Sequence, residues 1–264
     1  MIKKINKIFR LIKLWLLSEN KWINPYKIIR ENSLSDRETI LYLKKNPKVG
    51  IIRNGNSELG LMVGNSPRSQ EYDKNLAEKL IDNCRNYNFA TRKKYLLALP
   101  LETLVVGYTK RTAIPRWYPG RAARLAMRFL VKKKQTYASP FCFRIIDVED
   151  EDMDSYLKLV ESLFIGREVI YVGPMQGKNL EIPKFITPEE ILKIPEKNAY
   201  SKFHYIVEQI KKISMNYKDP LVVIVGGATA SAISYELNIS NITCYDFGQY
   251  NRLYKKYLHN KISG

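Results

Sequence analysis

The chain has 264 residues, of which 45% are hydrophobic and 11% aromatic, and its formal net charge is +18. This length allows a substantial buried core, and the apolar content excludes an intrinsically disordered chain. Three widely separated cysteines and two isolated histidines exclude a disulfide framework and a histidine-rich metal site, and they indicate a reducing cytoplasm. The positive charge predicts polyanionic surroundings: nucleic acid, anionic lipid or phosphorylated substrates.

Residues 1–22 predict a basic amphipathic helix. Its apolar and basic residues recur at helical spacing on different faces: Ile2, Ile5, Phe9, Ile12 and Leu16 on one, and Lys3, Lys7, Arg10 and Lys13 towards another. No uncharged run approaches the roughly 20 residues that span a bilayer. Such a helix can bind the surface of an anionic membrane or pack on its own domain, and the sequence favours neither.

The rest of the chain alternates short apolar runs with amphipathic segments. Strands are predicted at residues 49–52, 94–99, 168–172, 184–186, 221–225 and 242–245. Helices are predicted at residues 35–45, 73–85, 150–164 and 199–213, from a helix start at 187–190, and from the turn at 226–231 to residue 237. These repeated units predict an α/β fold with a Rossmann-like, doubly wound, mostly parallel sheet. We expect one such domain over residues 47–264, after a helical extension over residues 1–46.

The turn after the first predicted strand carries a candidate ligand site. Arg53, Gly55, Asn56 and Glu58 combine a cation, a flexible glycine, an amide and a carboxylate within six residues. Ligands of α/β proteins bind at such turns because loop side chains and helix amides converge beyond the strand's C-terminal end. This set could hold a phosphate and a metal ion together. Alternatively, Glu58 merely complements the dipole of the following helix.

Two further segments carry charge or free amides. Residues 226–229 follow the most apolar predicted strand, and their small side chains could form a phosphate cradle or simply a tight turn between strand and helix. Residues 103–146 contain ten basic residues and no acidic one. Nucleic acid, or the headgroup or diphosphate of a lipid-linked substrate, could bind there. Nucleic acid is disfavoured because no zinc-knuckle, RNP or helix-turn-helix signature accompanies the charge.

Taken in order, several segments resemble one family, the bacterial glycosyltransferases of the GT-D fold. That family carries R-F-G-D-G-E after its first strand and then Q-x-Y-D, which correspond to residues 53–58 and 70–73. Its Y-G-x-x-F-x-x-R and P-x-x-N-A-F segments correspond to residues 137–144 and 195–200. Its G-P-T-A-T turn, Y-D-L helix and D-x-G-H-x-D segment correspond to residues 226–231, 235–237 and 246–251. The correspondence covers most of residues 49–251.

The resemblance implies transfer of a sugar from a nucleotide donor, commonly a UDP-sugar, to a glycan or glycoprotein. It implies catalytic roles for Glu58, Gln249 and Asp73. It implies donor binding by Arg53, Gly55, Asn56, Tyr72, Lys197, Asn198, Gly227 and Thr229. A divalent ion, Mn²⁺ or Mg²⁺, would lie on Glu58 and Asn56, and that expectation is weakened because Asn56 replaces the family's first carboxylate with a neutral amide. Gln249 likewise replaces the family's histidine.

Three hypotheses follow for function. The leading one is a glycosyltransferase in which cations and amides stabilise the leaving diphosphate, held at the inner face of the cytoplasmic membrane. Its acceptor would be a glycan or a lipid-diphosphate-linked precursor in the synthesis of bacterial envelope polysaccharide or glycoprotein. The second is a catalytically impaired module that binds a nucleotide-sugar or glycan. The third is a basic protein that binds nucleic acid or anionic lipid, with the α/β core as scaffold.

Overall fold

The computed structural model describes residues 2–18, 24–105, 120–144, 152–174 and 182–248. The strands are β1 (Gly50–Arg53), β2 (Tyr95–Ala98), β3 (Val169–Pro174), β4 (Pro188–Ile194), β5 (Leu221–Ile224) and β6 (Thr243–Asp246). The α-helices are α1 (Ile2–Leu16), α2 (Pro25–Asn32), α3 (Asp36–Lys45), α4 (Asn56–Met62), α5 (Lys74–Arg85), α6 (Arg121–Leu130), α7 (Met153–Glu161), α8 (Phe203–Ser214) and α9 (Ala228–Ile239). Short 3-10 turns lie at Thr91–Lys93, Leu101–Leu104 and Ala199–Lys202.

The six strands form one parallel sheet in the order β2-β1-β6-β5-β3-β4. Tyr245 of β6 pairs with Ile51 of β1 on one side and with Val223 of β5 on the other. The chain adds β2 to one side of β1 and all later strands to the other side. The direction of winding therefore reverses beside β1, which is where open α/β sheets bind ligands. The predicted Rossmann-like parallel sheet is confirmed.

Successive residues of each central strand enter two separate cores, because side chains alternate between the faces of a sheet. Ile52, Leu97 and Val222 pack on one face, which α4, α5, α6, α8 and α9 cover. Ile51, Leu96 and Val223 pack on the other face, which α3 and α7 cover. Burial on both faces explains why these strands read as continuous apolar runs.

The prediction for residues 184–190 was wrong. No strand forms at 184–186, and the proposed helix start at 187–190 lies instead in β4, which pairs with β3 from Val169↔Pro188 to Pro174↔Ile194. β4 is an edge strand, and most of it is exposed or half-buried, so it lacks an apolar run. Proline followed by glutamates is also typical of a helix start. At the first residue of an edge strand, however, a proline costs the sheet little.

The segment before the sheet also contacts the sheet domain. Helix α3 begins with the predicted capping box, in which Ser35 and Glu38 each accept the other's backbone N–H. Its residues Ile40 and Leu43 are fully buried in the same core as β1, while α1 packs against α6 through Leu14. The division at residues 46 and 47 stays a prediction.

Helices long and apolar enough to cross a membrane are absent from the described part of the chain.

Candidate functional site

The strands β1 and β6 end side by side, and each ends on a charged residue. Arg53 closes β1 and Asp246 closes β6, with 4.0 Å between Arg53 Nη1 and Asp246 Oδ1. Both side chains are largely buried, and Arg53 Nε donates to the carbonyl oxygen of Pro140 at 2.8 Å. A methyl group at Gly248 would lie 1.6 Å from Arg53 Nη1, so only a glycine there leaves room for the guanidinium. The chain thus holds one cation tightly against the sheet edge.

Asp246 binds neighbouring groups through both carboxyl oxygens. Oδ1 accepts the Gly248 backbone N–H at 3.2 Å, and Oδ2 lies 3.0 Å from the Ser231 hydroxyl. The same hydroxyl lies 2.6 Å from the Arg53 carbonyl oxygen and has only one proton to donate. Burial raises the pKa of Asp246, while Arg53 opposes that rise. Asp246 is therefore held between the Arg53 guanidinium, the Gly248 backbone N–H and the Ser231 hydroxyl.

Glu58 is the second buried carboxyl group of this cluster. It lies in the first turn of α4, and its Oε2 accepts the Gly55 backbone N–H at 2.7 Å. Burial, and then the negative charge of Asp246, raise the pKa of Glu58 to about 7, against the opposing effects of backbone hydrogen bonds and Arg53. The predicted interaction with the helix start therefore exists. A carboxyl group with this pKa can also accept or donate a proton near neutral pH.

A second group of predicted residues meets around the loop at residues 66–72. Thr229 Oγ1 donates to Gln70 Oε1 at 3.1 Å in a buried position. Asn198 donates its backbone N–H to Ser69 (3.0 Å) and accepts the Glu71 N–H through Oδ1 (2.8 Å). The loop thereby joins the segment before α8 to the first turn of α9.

Gly227 lies against this loop, and Tyr72 is the last residue of it. Gly227 adopts φ +56°, a conformation that other residues rarely adopt, and a methyl group there would lie 3.0 Å from Ser69 Oγ. The Tyr72 backbone N–H donates to Ser66 Oγ at 3.0 Å. Tyr72, Asn198, Gly227 and Thr229, all predicted to bind the donor, are therefore joined through one short loop.

The two groups meet at the N-terminus of α9. Thr229 belongs to the loop group, and Ser231, two residues further along the same helix, contacts Arg53 and Asp246. Helix α9 has 12 residues, and its N-cap is Gly227, which provides no side-chain cap. Such a terminus presents backbone N–H groups and the positive end of the helix dipole. The arrangement brings a guanidinium, helix amides and two carboxyl groups to one end of the sheet.

Other predicted residues have different surroundings. Asp73 caps α5, since its Oδ1 accepts the Leu76 N–H at 2.9 Å. Lys197 is exposed beside Asn198, and Asn56 is half-buried in the first turn of α4. Gln249 lies outside the described residues, as do residues 106–119 and 145–146 of the basic segment.

The donor set fits a divalent ion poorly. Asp246 binds protein groups through both oxygens, and one oxygen of Glu58 accepts the Gly55 N–H. Asn56 would add only a neutral oxygen. In the described ranges, no three His, Cys, Asp or Glu side chains are grouped so that they could hold a metal ion. Hard cations favour several charged oxygens, which this site does not gather.

Asp246, Gln70 and Ser231 were not among the predicted site residues. Asp246 had two usable signals: it is the first residue of the segment that resembles D-x-G-H-x-D, and an acid directly after a buried apolar run marks the carboxyl end of a strand. Gln70 and Ser231 are neutral, and their role as links depends on which elements lie side by side. Local spacing does not disclose that.

Comparisons with known proteins agree with this architecture. A family model described as the glycosyltransferase GT-D fold matches residues 51–263. The chain is similar to a solved structure of the highly conserved domain of unknown function 1792, described as a distinct glycosyltransferase fold, with 21% identity, a TM-score of 0.73 and coverage of 89% of this chain and 85% of that chain. It is also similar to a new glycosyltransferase from Streptococcus sanguinis, with 19% identity, a TM-score of 0.72 and coverage of 87% and 85%. A search of curated proteins gave no match.

Proposed function

Because the chain belongs to the glycosyltransferase GT-D fold family, we propose that it transfers a sugar from a nucleotide-sugar, first of all a UDP-sugar, to a glycan acceptor. One observation carries the proposal. The buried cluster of Arg53, Asp246 and Glu58 adjoins the N-terminus of α9 at the carboxyl edge of the sheet. It combines groups that bind a diphosphate with a carboxyl group that can move a proton near neutral pH.

The leaving diphosphate would be stabilised by positive groups that the fold already holds in place. Arg53 is fixed by Pro140 and Gly248, and the amides at the start of α9 need no rearrangement to face an anion. Donors arranged in advance stabilise developing charge more effectively than solvent does. Tyr72, Lys197, Asn198 and Thr229 would contact the remainder of the donor.

Glu58 would act as the base. The acceptor hydroxyl oxygen forms a bond to the anomeric carbon, the bond from that carbon to the diphosphate breaks, and the hydroxyl proton passes to the Glu58 carboxylate. A base works best when its pKa lies near the working pH, and burial brings Glu58 to about 7. Asp73 and Gln249 stay predictions as further catalytic residues.

We also propose that a divalent ion contributes little to donor binding. Arg53 and the α9 amides supply positive charge at the proposed diphosphate site, and the oxygens of Asp246 bind protein groups. An Mn²⁺ or Mg²⁺ ion would find Asn56 and one oxygen of Glu58. These would hold it weakly, since only one of the two carries charge.

The acceptor and location form the finer part of the proposal. We propose a lipid-diphosphate-linked acceptor in bacterial envelope polysaccharide or glycoprotein synthesis, at the inner face of the cytoplasmic membrane. The net charge of +18 supports an anionic surface as partner. Arg121, Arg124 and Arg128 of α6, a helix without acidic residues, add basic charge next to α1.

The test is a thermal-shift and calorimetric titration with UDP, GDP, CMP and dTDP, each with and without Mn²⁺. A ligand that binds the native state raises its stability, by about 2.7 kcal/mol at a hundredfold excess over Kd. We expect UDP to raise the Tm without metal, and Arg53→Ala to abolish that shift. Arg30→Ala is the matched control, because Arg30 is an exposed arginine on α2. Failure of all four nucleotides, with and without metal, would contradict the donor site.

A second function is favoured by the amide at Asn56. If that substitution has removed catalysis, the protein binds a nucleotide-sugar or glycan as a module. The two functions separate in one assay with radiolabelled UDP-sugars and lipid-linked acceptors. Nucleotide binding with release of neither UDP nor labelled product would favour the module. Tight, steeply salt-dependent binding to unrelated DNA duplexes would instead favour the nucleic-acid hypothesis.

A further inference from the structure

The first helix of the protein exposes an unusual number of large apolar side chains. Fourteen large hydrophobic side chains are exposed in the described part of the chain, and half of them lie within residues 5–17. They are Ile5, Ile8, Phe9, Ile12, Trp15, Leu16 and Leu17, with exposures from 39% at Leu17 to 65% at Phe9. A contiguous apolar surface of this kind marks a site of interaction with a membrane or another protein.

The opposite face of α1 is attached to the domain through both apolar and polar groups. Leu14 is buried against α6, Arg10 contacts the Tyr72 hydroxyl, and the Arg10 guanidinium lies 4.5 Å from the centre of the Tyr72 ring. Lys13 forms an ion pair with Glu78 of α5 at 2.9 Å. An ordinary surface helix turns its apolar face inward. Helix α1 does the reverse, because its attachments hold most of the apolar residues outward.

We propose that the outward face of α1, formed by Ile5, Ile8, Phe9, Ile12, Trp15 and Leu16, binds to the surface of an anionic lipid bilayer. Five basic residues and no acidic residue occur in α1, and α6 beside it adds three arginines and again no acid. An apolar face next to basic charge fits acyl chains beneath anionic headgroups. A helix of 15 residues is about 22 Å long and lies in the plane of the interface.

The same charges disfavour a second copy of the chain as the occupant. Two copies meeting through the outward face of α1 would bring together two chains of net charge +18, and neither α1 nor α6 has an acidic residue to offset the basic charge beside that face. Like charges placed face to face across an interface cost several kcal/mol. The surface of an anionic bilayer carries negative charge, which is complementary to that of α1 and α6.

Docking of α1 would also orient the candidate site relative to the bilayer. This extension rests on the proposed function. Arg10 contacts Tyr72, which ends the loop that bonds to Asn198 and Thr229. A bilayer bound to the outer face of α1 would therefore lie on one defined side of that loop. Acceptors carried in the membrane would approach the site from this side.

The test is co-sedimentation of the full chain with phosphatidylcholine vesicles, with and without phosphatidylglycerol. We expect binding to the anionic vesicles and about a tenfold or greater loss of partitioning for Phe9→Glu. Ile165→Glu is the matched control, since Ile165 is 78% exposed and follows Phe164, which packs in the core on the other face of the sheet from α1. It should retain binding. Leu16→Glu repeats the test at a second exposed position, and circular dichroism verifies that each variant is folded.

Each outcome is decisive for the surface. Equal losses from Phe9→Glu and Ile165→Glu, or no binding by the unaltered chain, would overturn the inference. Concentration-dependent dimers in light scattering that Phe9→Glu abolishes, without vesicle binding, would assign the face to a second copy. Nucleotide thermal shifts without lipid test the donor site separately. Vesicle binding without any nucleotide response would support the membrane-binding surface of α1 and contradict the proposed function.

Discussion

Two regions of this protein depart from the usual distribution of residues in opposite senses. Helix α1 places large apolar side chains in water, while the ends of β1 and β6, together with the first turn of α4, bury an arginine and two carboxyl groups. Exposed apolar surface and buried charge both cost free energy unless a partner or ligand compensates them. The two proposals above give each region its own compensating partner: a lipid surface for α1 and a nucleotide diphosphate for the buried cluster. The predictions below test the two regions against each other.

The largest expected effect is on catalysis. Glu58→Gln should lower kcat by about 10²–10⁴-fold, because a positioned general base contributes about that much, and the fold should survive. Steady-state kinetics with a UDP-sugar measures it. The matched control is Glu38→Gln, since Glu38 accepts the Ser35 N–H at 2.8 Å just as Glu58 accepts the Gly55 N–H at 2.7 Å. If both variants keep full activity, Glu58 only caps its helix.

The next effect is on stability at the buried cluster. Arg53→Ala leaves Asp246 without its cation, and removing one partner of a buried pair costs about 3–5 kcal/mol. Urea denaturation measures the free energy of unfolding. The double variant Arg53→Ala with Asp246→Asn should recover part of that loss, because the uncompensated charge is gone. A double variant no more stable than the single one would show that the pair contributes no electrostatic coupling.

Glu58 also predicts a pH dependence of stability. Its pKa is raised from 4.5 to about 7 on folding, so between these values the native state binds more protons than the unfolded chain. Stability due to Glu58 is therefore full below about pH 4.5 and falls as pH rises to about 7, by about 3 kcal/mol. Asp246 shifts in the same direction. Denaturation at a series of pH values should show Glu58→Gln with a flatter profile. An unchanged slope would contradict the burial of an ionisable Glu58.

The sequence predicted local elements better than it predicted which distant residues meet at the site. Strands such as β5 were predicted because a strand that is buried on both faces consists of a continuous apolar run. The edge strand β4 was missed because a strand that is mostly exposed or half-buried lacks a continuous apolar run. Arg53 and Glu58 belong to one loop and were identified together, whereas Asp246 lies far along the chain and joins them only through the strand order. Periodicity likewise gave α1 two faces without indicating which one faces outward.

The smallest expected effect distinguishes the outward face of α1 from its attached face. Phe9→Ser on α1 should change the free energy of unfolding by no more than about 0.5 kcal/mol, because its side chain is 65% exposed and lies on the face away from the domain. Leu14→Ala, on the attached face of the same helix, should cost about 2–5 kcal/mol, because Leu14 is 2% exposed. Urea denaturation without lipid measures both. If Phe9→Ser proved as costly as Leu14→Ala, Phe9 would be packed inside the protein. The apolar face of α1 would then belong to the core, and no membrane would be needed to cover it.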